Sequence, residues 1–311
     1  MEEKFEIIAL LQARQTLETE LNNLVYGSVE IREVDSKKYI YVHYRDNGIL
    51  LTKYVGEYSD DLYNLILNNS IRAKEFKKEI RNITKRLKSL NYIQTELTED
   101  VMLNIDFAKK NLVATIYKQA ILEGVATTFA DTENIIEGGK VNNMTSEDVL
   151  KIINLKHAWE FILNENVISS NTDFALLCQI NKFILEGFFY NAGKLRTTPV
   201  SIGGTSWTPD FPIEIVIKEE LTNIFDKNID DIDKAIELLL YTMKKQIFID
   251  GNKRTSIIFT NHYLISKGKG LIAIPAELSD DYKNLLVKYY EGQNETEIKT
   301  FLKEKCFMKL H

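Results

Sequence analysis

The chain has 311 residues, of which 44% are apolar and 27% charged, with 39 Lys and Arg against 45 Asp and Glu. This composition excludes wholesale disorder, and a net charge of −6 excludes a molecule built throughout to bind nucleic acid. Only 14 glycines and 4 prolines punctuate the chain, too few turns for a sandwich or barrel of many short strands, so a mainly α fold is expected.

The N-terminus, MEEKFEIIALLQ, is acidic, and its apolar run of five residues is too short for a signal peptide. No stretch approaches the ~18 apolar residues of a membrane span. Cys178 and Cys306 make neither a disulfide framework nor a metal cluster. A cytoplasmic chain without a membrane partner is the expectation.

In chain order, residues 3–25 read as a helix with Leu10, Leu17, Leu21 and Leu24 along one stripe. Three segments follow, VEIREV, KKYIYVHYR and ILLTKYVG, alternating with period two and rich in Val, Ile and Tyr. Asp46-Asn47-Gly48 between the second and third is a hairpin signal, because Asn and Gly accept positive φ. The helical period returns over 59–90, where Phe76, Ile80, Ile83, Leu87 and Leu90 form a seam that needs an apolar partner. The first helix is the nearest candidate. The other faces carry Arg72, Lys74, Lys77, Lys78, Arg81, Lys85, Arg86 and Lys88, read first as a solvated surface and second as a dock for nucleic acid or an acidic protein.

Beyond Asn91, helices are expected over 98–124, 146–165, 172–187, 214–226, 230–247, 253–267, 279–290 and 295–304. Two segments break the pattern. Residues 191–212 hold three of the four prolines and a Gly-Gly pair, and residues 248–254 form a polar loop between two apolar helices. An irregular segment beside a polar loop on a helical scaffold is where a site belongs.

The second loop continues from Gln246 as Gln-Ile-Phe-Ile-Asp-Gly-Asn-Lys-Arg254. Gly251 allows close approach of backbone to ligand, and the helix opening at Asn252 and Lys253 offers unpaired amides to an anion. Arg254 is a fork for phosphate oxygens. Asp250 is a hard oxygen ligand for a magnesium ion that keeps most of its waters. The plainer reading is a helix cap with a surface salt bridge.

This loop resembles the Fic/Doc family signature H-x-F-x-D/E-G-N-G/K-R, matched everywhere but its first position. Upstream, Gly193-Lys-Leu-Arg196 followed by VSIGGTSWTP resembles the family's G-x-x-R segment and β-hairpin flap. Asn134 to Gly138 (NIIEG), followed by TSEDVLKIIN, resembles the inhibitory helix many members carry. The resemblance implies a Fic-type helical bundle with a flap over residues 96–311, an inhibitory helix near 131–138, and a separate N-terminal α+β module over 1–95, a helical hairpin with a three-stranded meander, outside the family pattern.

It also implies a protein adenylyltransferase, moving AMP from ATP with Mg to a Ser, Thr or Tyr hydroxyl of a target protein. Asp250 would carry magnesium, and Phe248, Gly251, Asn252, Lys253 and Arg254 would hold nucleotide. The flap, Val200, Ser201, Ile202, Gly203, Gly204 and Thr205, would pair with the target, and Glu137 would inhibit. Partners left open are a homodimer and, for the N-terminal module only, nucleic acid.

Three departures matter. Gln246 stands where the family has its base, and a primary amide cannot take a proton near neutral pH. Lys253 stands where adenylylating members carry Gly, as in Doc-type phosphotransferases of the family. Ile257 replaces the second Arg that the inhibitory Glu normally meets, and Glu133 replaces the Ser or Thr expected four residues before Glu137. A nucleotide-binding pseudoenzyme and a Doc-like phosphotransferase are therefore the alternatives. None of the four histidines is an obvious substitute base: His262 lies about 12 Å along the helix from Arg254, and His43, His157 and His311 read as surface or packing residues.

Overall fold

The computed structural model describes residues 2–310 except 47, 48, 93, 94, 143 and 294. The chain divides into two compact units, Met1–Ile93 and Gln94–His311. Among the described residues no helix is long and apolar enough to cross a membrane.

The first unit contains α1 (Glu2–Asn23), β1 (Ser28–Val34), β2 (Lys37–Asp46), β3 (Ile49–Glu57) and α2 (Asp60–Ser89). The strands form an antiparallel meander in the order β1-β2-β3; Asn47 and Gly48 of the hairpin signal lie outside the described residues. One sheet face buries Ile40 and Val42 against Ile66 of α2, with Val25, Val29, Val55, Leu62 and Tyr63 around them. Ser59 caps α2 by accepting from the Leu62 amide. Helices α1 and α2 pack together, and Ile83 and Leu87 of the expected seam are buried. On α1 the deepest residues are Ile8 and Leu11, whereas the expected stripe of Leu10, Leu17, Leu21 and Leu24 sits half-buried at the margin. All eight basic residues of α2 are exposed, with Arg86 paired to Glu6 at 2.6 Å and Lys77 over the Tyr26 ring.

The second unit is helical, running α3 (Glu99–Lys110), α4 (Leu112–Leu122), α5 (Phe129–Ile136), α6 (Ser146–Ile162), α7 (Glu165–Ile168), α8 (Phe174–Ile184), α9 (Glu214–Phe225), α10 (Asp231–Lys245), α11 (Asn252–Ser266), α12 (Ser279–Tyr290) and α13 (Glu295–Phe301). A short ladder joins β4 (Leu271–Ile272) to β5 (Phe307–Met308). The helix expected over 98–124 is interrupted at Asn111, whose amide nitrogen turns back onto the Phe107 carbonyl. This residue ends α3 and opens α4. The helix expected over 146–165 stops at Ile162, and Asn164 caps the single turn of α7.

Helix α11 is the centre of the unit. It packs on α10, α8, α6 and α3 and is buried at every residue except Lys253 and Ser266. Two of its buried polar side chains are satisfied internally. Asn261 donates to the Ile257 and Ile272 carbonyls and accepts from the Ile272 amide. His262 contacts the Thr172 hydroxyl at 2.8 Å and the Val167 carbonyl at 3.0 Å.

Burial pushes the His262 pKa from 6.5 down to about 4. Between those two values the unfolded chain binds a proton that the folded chain refuses, so stability falls as pH drops through 6.5 and levels off below about 4. The loss attributable to His262 should be roughly 3 kcal/mol. Urea midpoints measured from pH 7.5 to 4 on the chain and on His262→Gln should differ by that slope; parallel curves would show that His262 is not the buried neutral group.

Candidate active site

Helix α10 ends at Gln246 in the left-handed conformation (φ 46°), and α11 begins after Gly251, also left-handed (φ 71°). A Cβ at Gly251 would come within 2.8 Å of Ile184, so the close turn requires glycine. Asn252 closes the loop from inside: its side chain accepts from the Phe248 amide at 2.9 Å, and donates to the Phe248 carbonyl at 2.8 Å and the Gln246 amide oxygen at 3.1 Å. Phe248 itself packs into the core, 2% exposed. It shapes the loop and does not face a ligand, contrary to the nucleotide-contacting role expected for it.

No side chain caps the N-terminus of α11, so its first amides face a cavity of about 340 Å³. Gln246, Asp250, Gly251, Asn252 and Lys253 line it from below, Val200 to Gly203 from the flap, and Lys283, Leu286, Val287 and Tyr290 from α12. The Gln246 amide donates to the Met243 carbonyl at 2.6 Å and hydrogen-bonds with the buried Tyr290 phenol, whose pKa burial pushes up. Its hydrogen-bonding groups are thus engaged within the protein.

The same cavity is lined by Glu123, which follows α4. Its carboxylate lies 3.2 Å from Arg254 Nε and 3.3 Å from Lys253 Nζ, and Arg254 Nη2 meets Asp250 at 3.2 Å. Arg254 is 5% exposed and Glu123 14%, so both lie beneath the surface that Asp250, at 53%, presents. Glu137, the expected inhibitory residue, is exposed at the end of α5 and does not line this cavity. The carboxylates that meet the motif arginine are Asp250 and Glu123, and Glu137, from which such a contact was not expected once Ile257 replaces the second Arg, lies away from the cavity. The string Glu-Gly occurs at 123–124 and again at 137–138; only the first follows a helix that packs beside the site. Ile257 is buried at 1%, so Glu123 pairs with Lys253 and Arg254 in place of a second arginine.

The segment from 197 to 213 contains a turn at Gly203-Gly204 but no paired strands, so the expected hairpin ladder is not formed. Pro199, Pro209 and Pro212 each remove a backbone donor, and side chains hold the loop instead. Trp207 stacks on Tyr290 with centroids 5.5 Å apart, and the Thr205 hydroxyl donates to Glu291 at 2.7 Å. Sequence reasoning gave Arg196 no role beyond its motif. In the structure it is 3% exposed, and its guanidinium donates to four main-chain carbonyls: Gln246 at 2.6 Å, Thr198 and Pro209 at 3.1 Å, and Asp210 at 2.5 Å. One side chain therefore ties both ends of the flap to the motif loop.

The donor set fits a phosphate-bound magnesium ion. Asp250 offers one hard carboxylate on the cavity wall, and no group of three His, Cys, Asp or Glu among the described residues could hold a metal alone. Buried Arg254 Nε also makes no hydrogen bond, a donor that a ligand oxygen or water would satisfy.

The structure resembles a segment of Fic-1 from C. elegans at 15% identity, covering 78% of this chain and 79% of that one with a TM-score of 0.53. It also resembles a Fic domain containing signaling protein from Bacteroides thetaiotaomicron (18% identity, 66% and 80% covered, TM-score 0.51). A Fic family protein from Desulfovibrio desulfuricans matches at 13% identity, 68% and 73% covered, and TM-score 0.52. At these identities the likeness is one of fold. The comparison with curated proteins found no match. The Fic/DOC family model matches residues 171–264, which span α8, the Arg196 segment, the flap and the α10–α11 loop. Over residues 171–264 the chain matches the Fic/DOC domain, and the fold likeness extends beyond it.

Proposed function

We propose that the chain transfers the adenylyl group of ATP to a hydroxyl of a protein target, and that Glu123 holds the resting site closed. The observation that carries this reading is the α11 N-terminus, where an uncapped first turn, Asp250 and Lys253 line one cavity and buried Arg254 is paired to Asp250 on its wall. Amides and Arg254 would bind the phosphate oxygens. Asp250 would hold the magnesium ion, which supplies charge neutralisation on the phosphates when bound. Phosphoryl chemistry needs little covalent help from protein, so positioning and charge dominate. The flap would hold the target segment by strand addition.

Glu123 places a carboxylate where phosphate charge would arrive. Two like charges about 4 Å apart repel by roughly 4 kcal/mol at an effective dielectric of 20, so the carboxylate opposes nucleotide as long as it stays. Lys253 supports a second reading, phosphate transfer, because its ammonium lines the cavity.

The test uses Glu123→Gln beside the parent chain. Titration calorimetry with Mg-ATP should give a Kd at least tenfold lower for the variant, about 1.4 kcal/mol or more. Incubation with a protein lysate and ATP labelled at the α- or γ-phosphate should leave α-label alone on protein. Label from γ alone replaces this reading with phosphate transfer, and no label from either position, or no binding, defeats it.

A further inference from the structure

The three-stranded sheet of the first unit turns Ile40 and Val42 inward; the opposite face carries Glu30 of β1, His43 of β2 and Thr52 of β3. The register sets His43 directly across from Thr52 on one side and Ser28 on the other, with Glu30 two residues beyond Ser28. His43 Nδ1 lies 2.8 Å from the Thr52 hydroxyl, and His43 Nε2 lies 2.7 Å from a Glu30 carboxylate oxygen. Glu30 also accepts from Arg32 at 2.9 Å, and the bonds from Arg32 first and His43 second hold its carboxyl at about 2. It is ionised at neutral pH and accepts only. The Nε2 of a neutral His43 ring therefore carries the hydrogen, and the Nδ1 lone pair faces the Thr52 O–H. Carboxylate, imidazole and hydroxyl stand in the order that activates a hydroxyl nucleophile. Thr52 is exposed, and β3 is an edge strand, the kind of segment that can add to another chain's edge.

We propose that Thr52 is an acceptor for the adenylyl group, and that His43 supplies the base that Gln246 cannot. The inference rests on the proposed transfer activity. Thr52 Oγ attacks the α-phosphorus of the nucleoside triphosphate. The Oγ–P bond forms, the bond from that phosphorus to the oxygen bridging the β-phosphate breaks, and pyrophosphate leaves. The Thr52 proton passes to His43 Nδ1, and Glu30 stabilises the imidazolium. A site that binds phosphates but lacks a base selects hydroxyls that arrive with their own, and Thr52 is such a hydroxyl.

The full chain, with Mg-ATP labelled at the α-phosphate, is mapped by peptide mass spectrometry. An AMP adduct on Thr52 is expected, absent in Thr52→Val and lowered roughly 10²-fold or more in His43→Gln, with circular dichroism of both variants unchanged. Adducts on other hydroxyls only, or Thr52 labelling indifferent to His43→Gln, overturn the proposal while leaving adenylyl transfer standing. A lack of α-label on every protein, lysate targets included, is instead the failure of the transfer reading and overturns both. A readout independent of nucleotide is ¹⁵N NMR of His43 at pH 7.5. The tautomer with its hydrogen on Nε2, facing Glu30, is expected, and hydrogen on Nδ1 overturns the assignment of the base.

Discussion

Gln246→His is expected to raise kcat for transfer to an ordinary protein hydroxyl by roughly 10²–10⁴-fold, the usual worth of general-base help. Gln246 occupies a left-handed residue at the mouth of the loop, with its carbonyl fixed by Arg196 and its amide spent on Met243, Asn252 and Tyr290. An amide held in this way can neither accept a proton nor turn toward an incoming hydroxyl. Imidazole at the same Cα has a titratable nitrogen, and the left-handed backbone is no harder for His than for Gln, so the fold should tolerate the change. The gain belongs to kcat: on the proposed reading nucleotide is held by the α11 amides and Arg254 and opposed by Glu123, none of which is altered. Steady-state kinetics at saturating Mg-ATP should show kcat rising while KM for ATP stays within about twofold. A kcat that does not move would mean residue 246 is not where the proton leaves. Thr52, which faces His43, should gain much less than hydroxyls without a neighbouring imidazole.

Arg196→Met should destabilise the second unit by roughly 2–4 kcal/mol, because four main-chain carbonyls lose their charged donor. Methionine has similar length but no donors, so four carbonyls between residues 198 and 246 lose their shared guanidinium. Each buried carbonyl left without a donor costs about 1–3 kcal/mol, and the four do not add independently because the loop can relax toward water. Arg196→Lys restores the charge but not the fork, and should recover less than half of the loss. Urea denaturation of the full chain measures the total. Hydrogen exchange should locate it, with amides of residues 198–210 accelerating more than those of α11. A cost under 1 kcal/mol would show that the flap is held chiefly by Trp207 on Tyr290 and Thr205 on Glu291.

The helices of both units were legible in the sequence because their apolar spacing and caps agree, as with Ser59, Thr145, Asp173 and Asp230. The α10–α11 loop was legible because Gly251 and Asn252 each serve a single geometric purpose there. What escaped were features decided by packing. Asn111 breaks a helix through a side-chain bond to its own preceding turn, and no Gly or Pro marks the spot. Glu137 alone was singled out in the sequence, whereas the glutamate that meets Arg254 is Glu123, and packing decides which helix end reaches that arginine. The flap was expected as a hairpin through the family resemblance alone, yet its frame is a guanidinium on carbonyls, which leaves no trace in periodicity. In α1 the stripe was drawn through the leucines, whereas burial follows Ile8 and Leu11.

The placement of the proposed phosphate site on the uncapped first turn of α11 has a practical consequence. That helix is enclosed along nearly its whole length, so its N-terminus cannot loosen without disrupting the interior of the second unit. Segments of this kind exchange only through the largest openings a fold undergoes. A ligand held there is therefore linked to the melting of the whole unit, with little lost to local fraying. At a hundred times its Kd such a ligand contributes about 2.7 kcal/mol, enough to move a melting curve by several degrees. Thermal-shift screening of nucleotides should thus rank ligands for this cavity even in a chain whose turnover is slight.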